Sequence, residues 1–249
     1  MLDREFVPYF HPQINVKDGT IVGYEVLARW DSSTKGNLSP FHFIDTIEND
    51  PIILDFTLYI IKSSLNIITT CGIDYSQINL SINIPPSLLE KGRFVEIFED
   101  IMQQYPLSNS QIILEITETS IPENINIANE TINRIALRGH KISIDDFGTG
   151  HSSLEKLRDI MVDEIKIDKS FLKMISQQDT KRIVKNIISL ANELNINIVA
   201  EGVETQDQLD EISEMGVDII QGFYFTKPLS PSILKAFHDE FNENYISSF

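Results

Sequence analysis

Acidic and amide side chains recur in or just after short apolar runs along this chain. The runs read Tyr24-Glu25-Val26-Leu27, Ser81-Ile82-Asn83, Leu114-Glu115-Ile116-Thr117-Glu118 and Ser143-Ile144-Asp145-Asp146. Ile165-Lys166-Ile167-Asp168, Ala200-Glu201-Gly202 and Ile220-Gln221-Gly222 continue the pattern. At close range, Glu25, Glu115, Asp145, Asp146 and Glu201 cannot all stay ionised without a compensating cation. Lys166 supplies one charge, which is too little for the group. The donors are carboxylate and amide oxygens, with no His or Cys among them, and such a set selects Mg²⁺ or Mn²⁺ over zinc. Adjacent Asp145 and Asp146 suit a pair of ions ~3.5–4 Å apart, a device for hydrolysing phosphate esters. Any single acid at a strand end is more often a helix N-cap or a surface ion-pair partner. Repetition over seven runs is what points to a metal-dependent enzyme.

These side chains need a frame that brings them to one place. Strands are predicted over Phe6–Ile14, Ile21–Trp30, Ile78–Ile84, Gln111–Thr117, Lys141–Phe147, Glu164–Asp168, Ile196–Glu201 and Ile219–Phe225. Lys17-Asp18-Gly19 is a hairpin turn signal, so the first two strands are antiparallel. Between the strands lie helical periods. Leu54, Leu58, Ile61, Leu65 and Ile68 form one stripe, and Ile183, Ile187, Leu190 and Leu194 another. Thr205 to Gln208 is a capping box that opens a helix, and Gly72, Gly139 and Gly216 stand where helices should stop. No linker or low-complexity tract interrupts the alternation, so residues 1–249 read as a single α/β domain. Eight strands in this length suit a (β/α)8 TIM-type barrel, with a doubly wound sheet as the alternative. In a barrel, the polar strand ends gather at one mouth, where that fold carries its active sites.

Composition narrows the class. Of 249 residues, 42% are hydrophobic and 23% charged, an ordinary globular mix. The net charge of −17 disfavours a DNA- or RNA-duplex-binding surface, although a local anion site remains compatible. The lone Cys71 excludes an intrachain disulfide and fits a reducing compartment. The N-terminus has no secretory pattern. The most apolar stretch, Ile52 to Ile68, is broken by Asp55 and Lys62 and reads as a soluble helix. A cytoplasmic protein without membrane contact is the expectation.

The chain resembles the EAL-domain phosphodiesterases, which linearise cyclic di-GMP. The name-giving tripeptide stands as Glu25-Val26-Leu27, followed by Ala28-Arg29-Trp30. Asn83, Glu115 to Glu118, Asp145 to Gly150, Ser152 to Leu154, Lys166 to Asp168, Glu201 to Thr205 and Gln221-Gly222 follow in family order. The resemblance implies a barrel whose first strand runs against the others. It implies that Glu25, Asn83, Glu115 and Asp145 hold one Mg²⁺ or Mn²⁺, with Asp145 bridging to a second ion held also by Asp146. Lys166 would contact the attacking water and Glu201 would orient or deprotonate it, giving linear pGpG. Leu27, Arg29 and Gln221 would meet the substrate, Arg29 as a bidentate phosphate clamp. Glu118 would hold the Phe147-Gly148-Thr149-Gly150 loop, and a homodimer is implied as well.

Three positions depart from the family pattern. His11 stands where Gln is usual, Val26 replaces Ala, and His151 replaces an aromatic residue. Val26 should face away from Glu25 by strand alternation. The rival readings are a catalytically silent cyclic di-GMP receptor or protein-interaction module, and a metal-dependent barrel acting on another phosphorylated or carboxylated small molecule. No metal-ligating or water-activating residue of the family set is missing, which favours the enzyme.

Overall fold

The turn at Lys17-Asp18-Gly19 starts the fold as expected. Gly19 takes φ +67, its N–H donates to the Asn15 carbonyl at 3.0 Å, and Asp18 accepts from the Thr20 N–H at 3.0 Å. Strand β1 (Phe6–Asn15) thereby folds back on β2 (Ile21–Ser32) as an antiparallel pair. The structure, a computed structural model, describes residues 5–90, 92–118, 126–149 and 160–244. The remaining strands are β3 (Gly36–Leu38), β4 (Asn79–Asn83), β5 (Ile112–Thr117), β6 (Lys141–Phe147), β7 (Glu164–Ile167), β8 (Asn197–Glu201) and β9 (Ile219–Gln221).

Their order is β1-β9-β8-β7-β6-β5-β4-β2, and the β1–β2 pairing closes the ring into an eight-stranded barrel. Strand β1 is antiparallel to both neighbours, whereas β2 and β4 to β9 run parallel. The short β3, absent from the sequence expectation, pairs with the end of β2. Three residues with Gly36 and Asn37 among them carry too little β-signal to be read alone.

Side chains alternate across the barrel wall. Outward-facing Leu80, Ile82, Leu114, Ile142, Ile144, Ile165, Ile167 and Ile198 form the apolar core with the helices. Inward positions are largely polar. Below the mouth, Gln13 reaches Ser81 at 3.4 Å, and Ser143 donates to the buried Glu164 at 2.9 Å. Burial pushes the Glu164 carboxyl above its usual range, against that hydrogen bond.

Helices form where their periods lie, but two buried faces differ from expectation. In Ile53–Thr70 the buried apolar residues are Ile53, Phe56, Ile60, Ile61, Leu65 and Ile68, while Leu54 and Leu58 are half-buried. In Gln178–Leu194 the core face is Thr180, Val184, Ile187, Ile188 and Ala191, and Ile183 and Leu194 are exposed. Small Thr180 and Ala191 lie on the side that meets the barrel, so a stripe drawn through large residues alone is rotated. Gly72, Gly139 and Gly216 take φ of +88, +93 and +92 at helix ends, as expected. The Thr205–Gln208 capping box is formed in both directions. No described helix is long and apolar enough to cross a membrane.

Strand β7 stops at Ile167, because Asp168 caps the next helix by accepting from the Ser170 N–H. Strand β9 ends at Gln221, earlier than the expected Phe225, because the chain turns against the segment after β8. There the Tyr224 N–H donates to the Val203 carbonyl at 2.9 Å. A Cβ on Gly222 would lie 2.1 Å from that carbonyl oxygen, a backbone clash with no side chain to move. Gly222→Ala is therefore expected to destabilise the fold by about 1–3 kcal/mol or more. For a chain of this size that lowers Tm by roughly 2–12 °C. A melting curve matching that of the unsubstituted protein would show that the close approach is dispensable.

Candidate active site

All eight barrel strands contribute one polar side chain to a common cluster. They are His11 (β1), Glu25 (β2), Asn83 (β4), Glu115 (β5), Asp145 (β6), Lys166 (β7), Glu201 (β8) and Gln221 (β9). Register brings neighbours side by side: His11 pairs with Glu25, Asn83 with Glu115, and Glu201 with Gln221. Because β2 and β4 to β9 are parallel, their C-terminal ends share a mouth, and alternation aims these residues inward.

Lys166 is the centre of the cluster. It is fully buried, with Nζ 2.7 Å from Glu201, 3.0 Å from Glu115, 3.5 Å from Asp145 and 3.6 Å from Glu25. Burial alone would favour a neutral amine, but the four carboxylates outweigh it and raise the Lys166 pKa well above its ordinary value. Burial pushes Glu115 well above the carboxylate range, with Lys166 opposing and Glu25, Asp145 and Glu201 adding to the rise. Glu201 is pushed up to about 8, mainly by burial and against the pull of Lys166. For Glu25 burial is overcome by Lys166, by His11 and by hydrogen bonds from Gln221 and Asn83, and its carboxyl lies below the usual range. Asn83 Nδ2 donates to Glu25 Oε1 at 3.3 Å, and Gln221 Nε2 donates to Glu25 Oε2 in a short contact.

Asp145 joins a second group. Asp145, Asp146 and Glu201 each present an oxygen, all within 4.8 Å of one another. Asp146 adopts φ +55, a left-handed conformation uncommon outside glycine. Its N–H donates to Asp145 Oδ1 at 2.9 Å, and Thr149 Oγ1 donates to its carbonyl at 2.7 Å, which holds that geometry. Burial, then the nearby Asp145 and Asp168, pushes the Asp146 carboxyl up to about 6.

The donor chemistry fits hard divalent cations. The two groups together hold five carboxylates and one ammonium, and Glu115 Oε2 is buried without a hydrogen-bond partner while its Oε1 meets Lys166 Nζ at 3.0 Å. Paired buried carboxylates that lack donors are costly unless a cation meets them.

Beside the cluster opens a cavity of about 780 Å³, with Glu25, Asn83, Glu115 and Asp145 along it and Leu27, Ile44, Phe56, Ile60 and Pro85 as apolar walls. Arg29 is not part of its lining. Its guanidinium donates to the Ala28 carbonyl at 2.8 Å and lies over the Tyr9 ring, 5.6 Å from the centroid. Glu118 is buried, and its Oε2 accepts the Gly148 N–H at 2.9 Å. Val26 is buried in the apolar core. Gly150, His151 and Ser152 to Leu154 lie outside the described residues.

Sequence reasoning passed over two parts of this site. Pro40 and Ile44, which line the cavity after β3, are apolar and carry no signature of a site. His11 stands out in the sequence only as a departure from the family pattern, and its place opposite Glu25 could not be counted from the turn. The turn sets Ile14 opposite Ile21, which carried outward would put His11 opposite Tyr24, and a one-residue register shift between Gln13 and Ile14 brings it opposite Glu25 instead.

Comparison with known proteins decides the family. The EAL domain model matches residues 1–228. The chain belongs to the EAL domain family. Among EAL relatives, the probable cyclic di-GMP phosphodiesterase PdeG of Escherichia coli K12 is 33% identical over 231 residues, covering 91% of this chain and 45% of PdeG. The chain spans about half the length of the curated relatives it matches. Among EAL structures, the enzyme Bd1971 in its cAMP- and cyclic-di-GMP-bound form superposes with a TM-score of 0.90 at 32% identity, covering 95% of this chain and 65% of that one. The PaMucR phosphodiesterase in complex with c-di-GMP gives 0.87 at 28% identity, covering 93% and 95%. The barrel with a reversed first strand is thus an EAL barrel.

Proposed function

We propose that this EAL domain is a divalent-metal-dependent phosphodiesterase that opens cyclic di-GMP to linear pGpG by cutting one ester bond. The observation that carries the reading is Lys166, whose Nζ lies within 3.6 Å of carboxylates from four different strands, two of which, Asp145 and Glu201, also belong to the group with Asp146. The names of PdeG and PaMucR lend support.

Glu25, Asn83, Glu115 and Asp145 would hold one Mg²⁺ or Mn²⁺, and Asp145 with Asp146 a second. Bound there, such ions lower the pKa of water and offset charge on a phosphoryl group. Lys166 fixes the attacking solvent by donating to it. Glu201, 2.7 Å from Lys166, would orient that water and take its proton. Leu27 supplies an apolar surface for a base, Gln221 contributes polar contact, and Arg29 engages a phosphate after leaving its Tyr9 contact. A cytoplasmic homodimer belongs to the same proposal and is checked by light scattering of the purified protein.

The test is direct. Purified protein with Mg²⁺ or Mn²⁺ should convert cyclic di-GMP to the linear dinucleotide, followed by chromatography. Folded protein that binds cyclic di-GMP without product under either ion is a receptor, and the enzymatic reading then fails.

Glu118 provides a second check. Its bond to Gly148 fastens the start of the loop after Asp146. Glu118→Ala should weaken ion binding and turnover about 10–100-fold, the range for partners that orient metal ligands. Glu118→Gln, which still accepts the Gly148 N–H, should keep most of both. Equal loss in the two variants, measured by Mn²⁺ calorimetry, would remove Glu118 from loop support.

A further inference from the structure

We infer that His11 is a positioning residue for Glu25, acting through Gln221, and so tunes the affinity of the mouth for a divalent ion. This rests on the reading of Glu25 as a metal ligand. Three hydrogen bonds carry it. His11 Nε2 lies 3.2 Å from the Thr226 carbonyl, His11 Nδ1 lies 2.9 Å from Gln221 Nε2, and Gln221 Nε2 also contacts Glu25 Oε2. His11 and Gln221 are 7% and 3% exposed, so water does not compete freely for these bonds.

For the neutral imidazole, the Thr226 carbonyl assigns the roles in the chain. Thr226 offers a carbonyl, which only accepts, so His11 Nε2 carries the proton and Nδ1 presents a lone pair. A lone pair on Nδ1 and a carboxylate on Glu25 both require donors from Gln221. The amide must then turn its NH₂ group toward them, one N–H to each. Its oxygen is left over, and Gln221 Oε1 is buried without a partner. Glu25 alone already disfavours the rotated amide, whose oxygen would face a carboxylate, and the lone pair on His11 Nδ1 is a second acceptor that fixes the direction of the NH₂ group. The Phe223 ring, 5.9 Å from His11, packs beside the imidazole and limits its tilt.

His11 thus holds the NH₂ face of Gln221 toward Glu25, and Glu25 in one orientation toward the ion. Partners of this kind are worth about 10–100-fold in metal affinity. The departure from the family Gln is then a substitution that keeps one donor and one acceptor. Glutamine at position 11 can accept from Gln221 and donate to Thr226, while leucine can do neither.

The experiment measures Mn²⁺ binding by calorimetry on the full chain, without nucleotide. His11→Leu should weaken Mn²⁺ binding at least ~10-fold, and His11→Gln should bind within about 3-fold of the unsubstituted protein. His11→Leu added to Gln221→Leu should cost nothing further, because the route through the amide is already gone. Unchanged binding in His11→Leu, equal loss in His11→Gln, or additive losses in the double variant would each overturn the inference. Far-ultraviolet circular dichroism reports whether each variant folds. His11→Ala replaces His11→Leu in the same comparison if the leucine disturbs the packing. Because the readout is ion binding, absence of turnover on cyclic di-GMP would defeat the phosphodiesterase reading while leaving this result interpretable. Failure of the unsubstituted protein to bind Mn²⁺ would defeat both.

Discussion

Lys166→Met is expected to cost about 3–5 kcal/mol of stability in ion-free buffer at pH 8, because it leaves a buried cluster of carboxylates without its cation. Four carboxylates contact that ammonium, at distances from 2.7 to 3.6 Å. The pH dependence follows from the carboxyls already displaced upward. Glu201 stands at about 8 and Glu115 well above its usual value even with Lys166 present. Such groups bind more protons folded than unfolded, so their contribution falls as pH rises from the unfolded carboxylate range near ~4.3 toward the folded pKa. Removing the ammonium lifts these values further and steepens the loss. Thermal melts of Lys166→Met in EDTA should therefore show a Tm that drops more between pH 5.5 and 8 than that of the unsubstituted protein. Mn²⁺ at pH 8 should recover part of the difference. Turnover of cyclic di-GMP should fall at least ~10²-fold even with saturating ion, as the donor to the attacking water is gone. Parallel pH curves for the two proteins would show that Lys166 does not hold the cluster, and near-normal turnover would show that it does not hold the water.

Asp145→Asn should have the second large effect, of a different kind. The change is isosteric, and Asp145 belongs both to the Lys166 cluster and to the group with Asp146 and Glu201. It removes one charge from each and still provides an oxygen to accept the Asp146 N–H, a contact that is 2.9 Å in the structure. The fold and its ion-free Tm should be kept or raised slightly, because a like-charge neighbour of Asp146 disappears. Ion binding should weaken strongly and turnover fall at least ~10²-fold. Calorimetry with Mn²⁺, a melting curve and a turnover assay together read these three outcomes. Asp145→Asn with unaltered Mn²⁺ affinity would separate Asp145 from the metal proposal.

Much of this molecule is local and was therefore legible before any coordinates. The Lys17–Gly19 turn, the capping box at Thr205 and the glycines that stop helices each depend on a few adjacent residues, and all three formed as read. Strand positions followed from short β-branched runs, and the acid at each run's end marked the candidate donors. The His11–Glu25 pairing was not legible in this way, because a one-residue register shift between Gln13 and Ile14 displaces the register that the turn alone would set. The helix faces were less secure. Buried stripes include small residues such as Thr180 and Ala191, whose burial depends on what lies opposite.

The amino-acid sequence by itself determined which oxygen donors this chain carries, that its net charge is negative, and that strands and helices alternate. Only the tertiary structure decided that the donors meet. Closure of β1 on both β2 and β9 and the stagger between parallel strands put Glu25, Glu115, Asp145 and Glu201 around one buried Lys166, although residues 25 and 201 are far apart in the chain. Likewise only the folded chain turns Arg29 onto Tyr9 and joins His11 to Glu25 through Gln221. The physical reason is that backbone propensity acts over a few residues, whereas charge, burial and hydrogen-bond direction act through space, between groups that only the closed barrel makes neighbours.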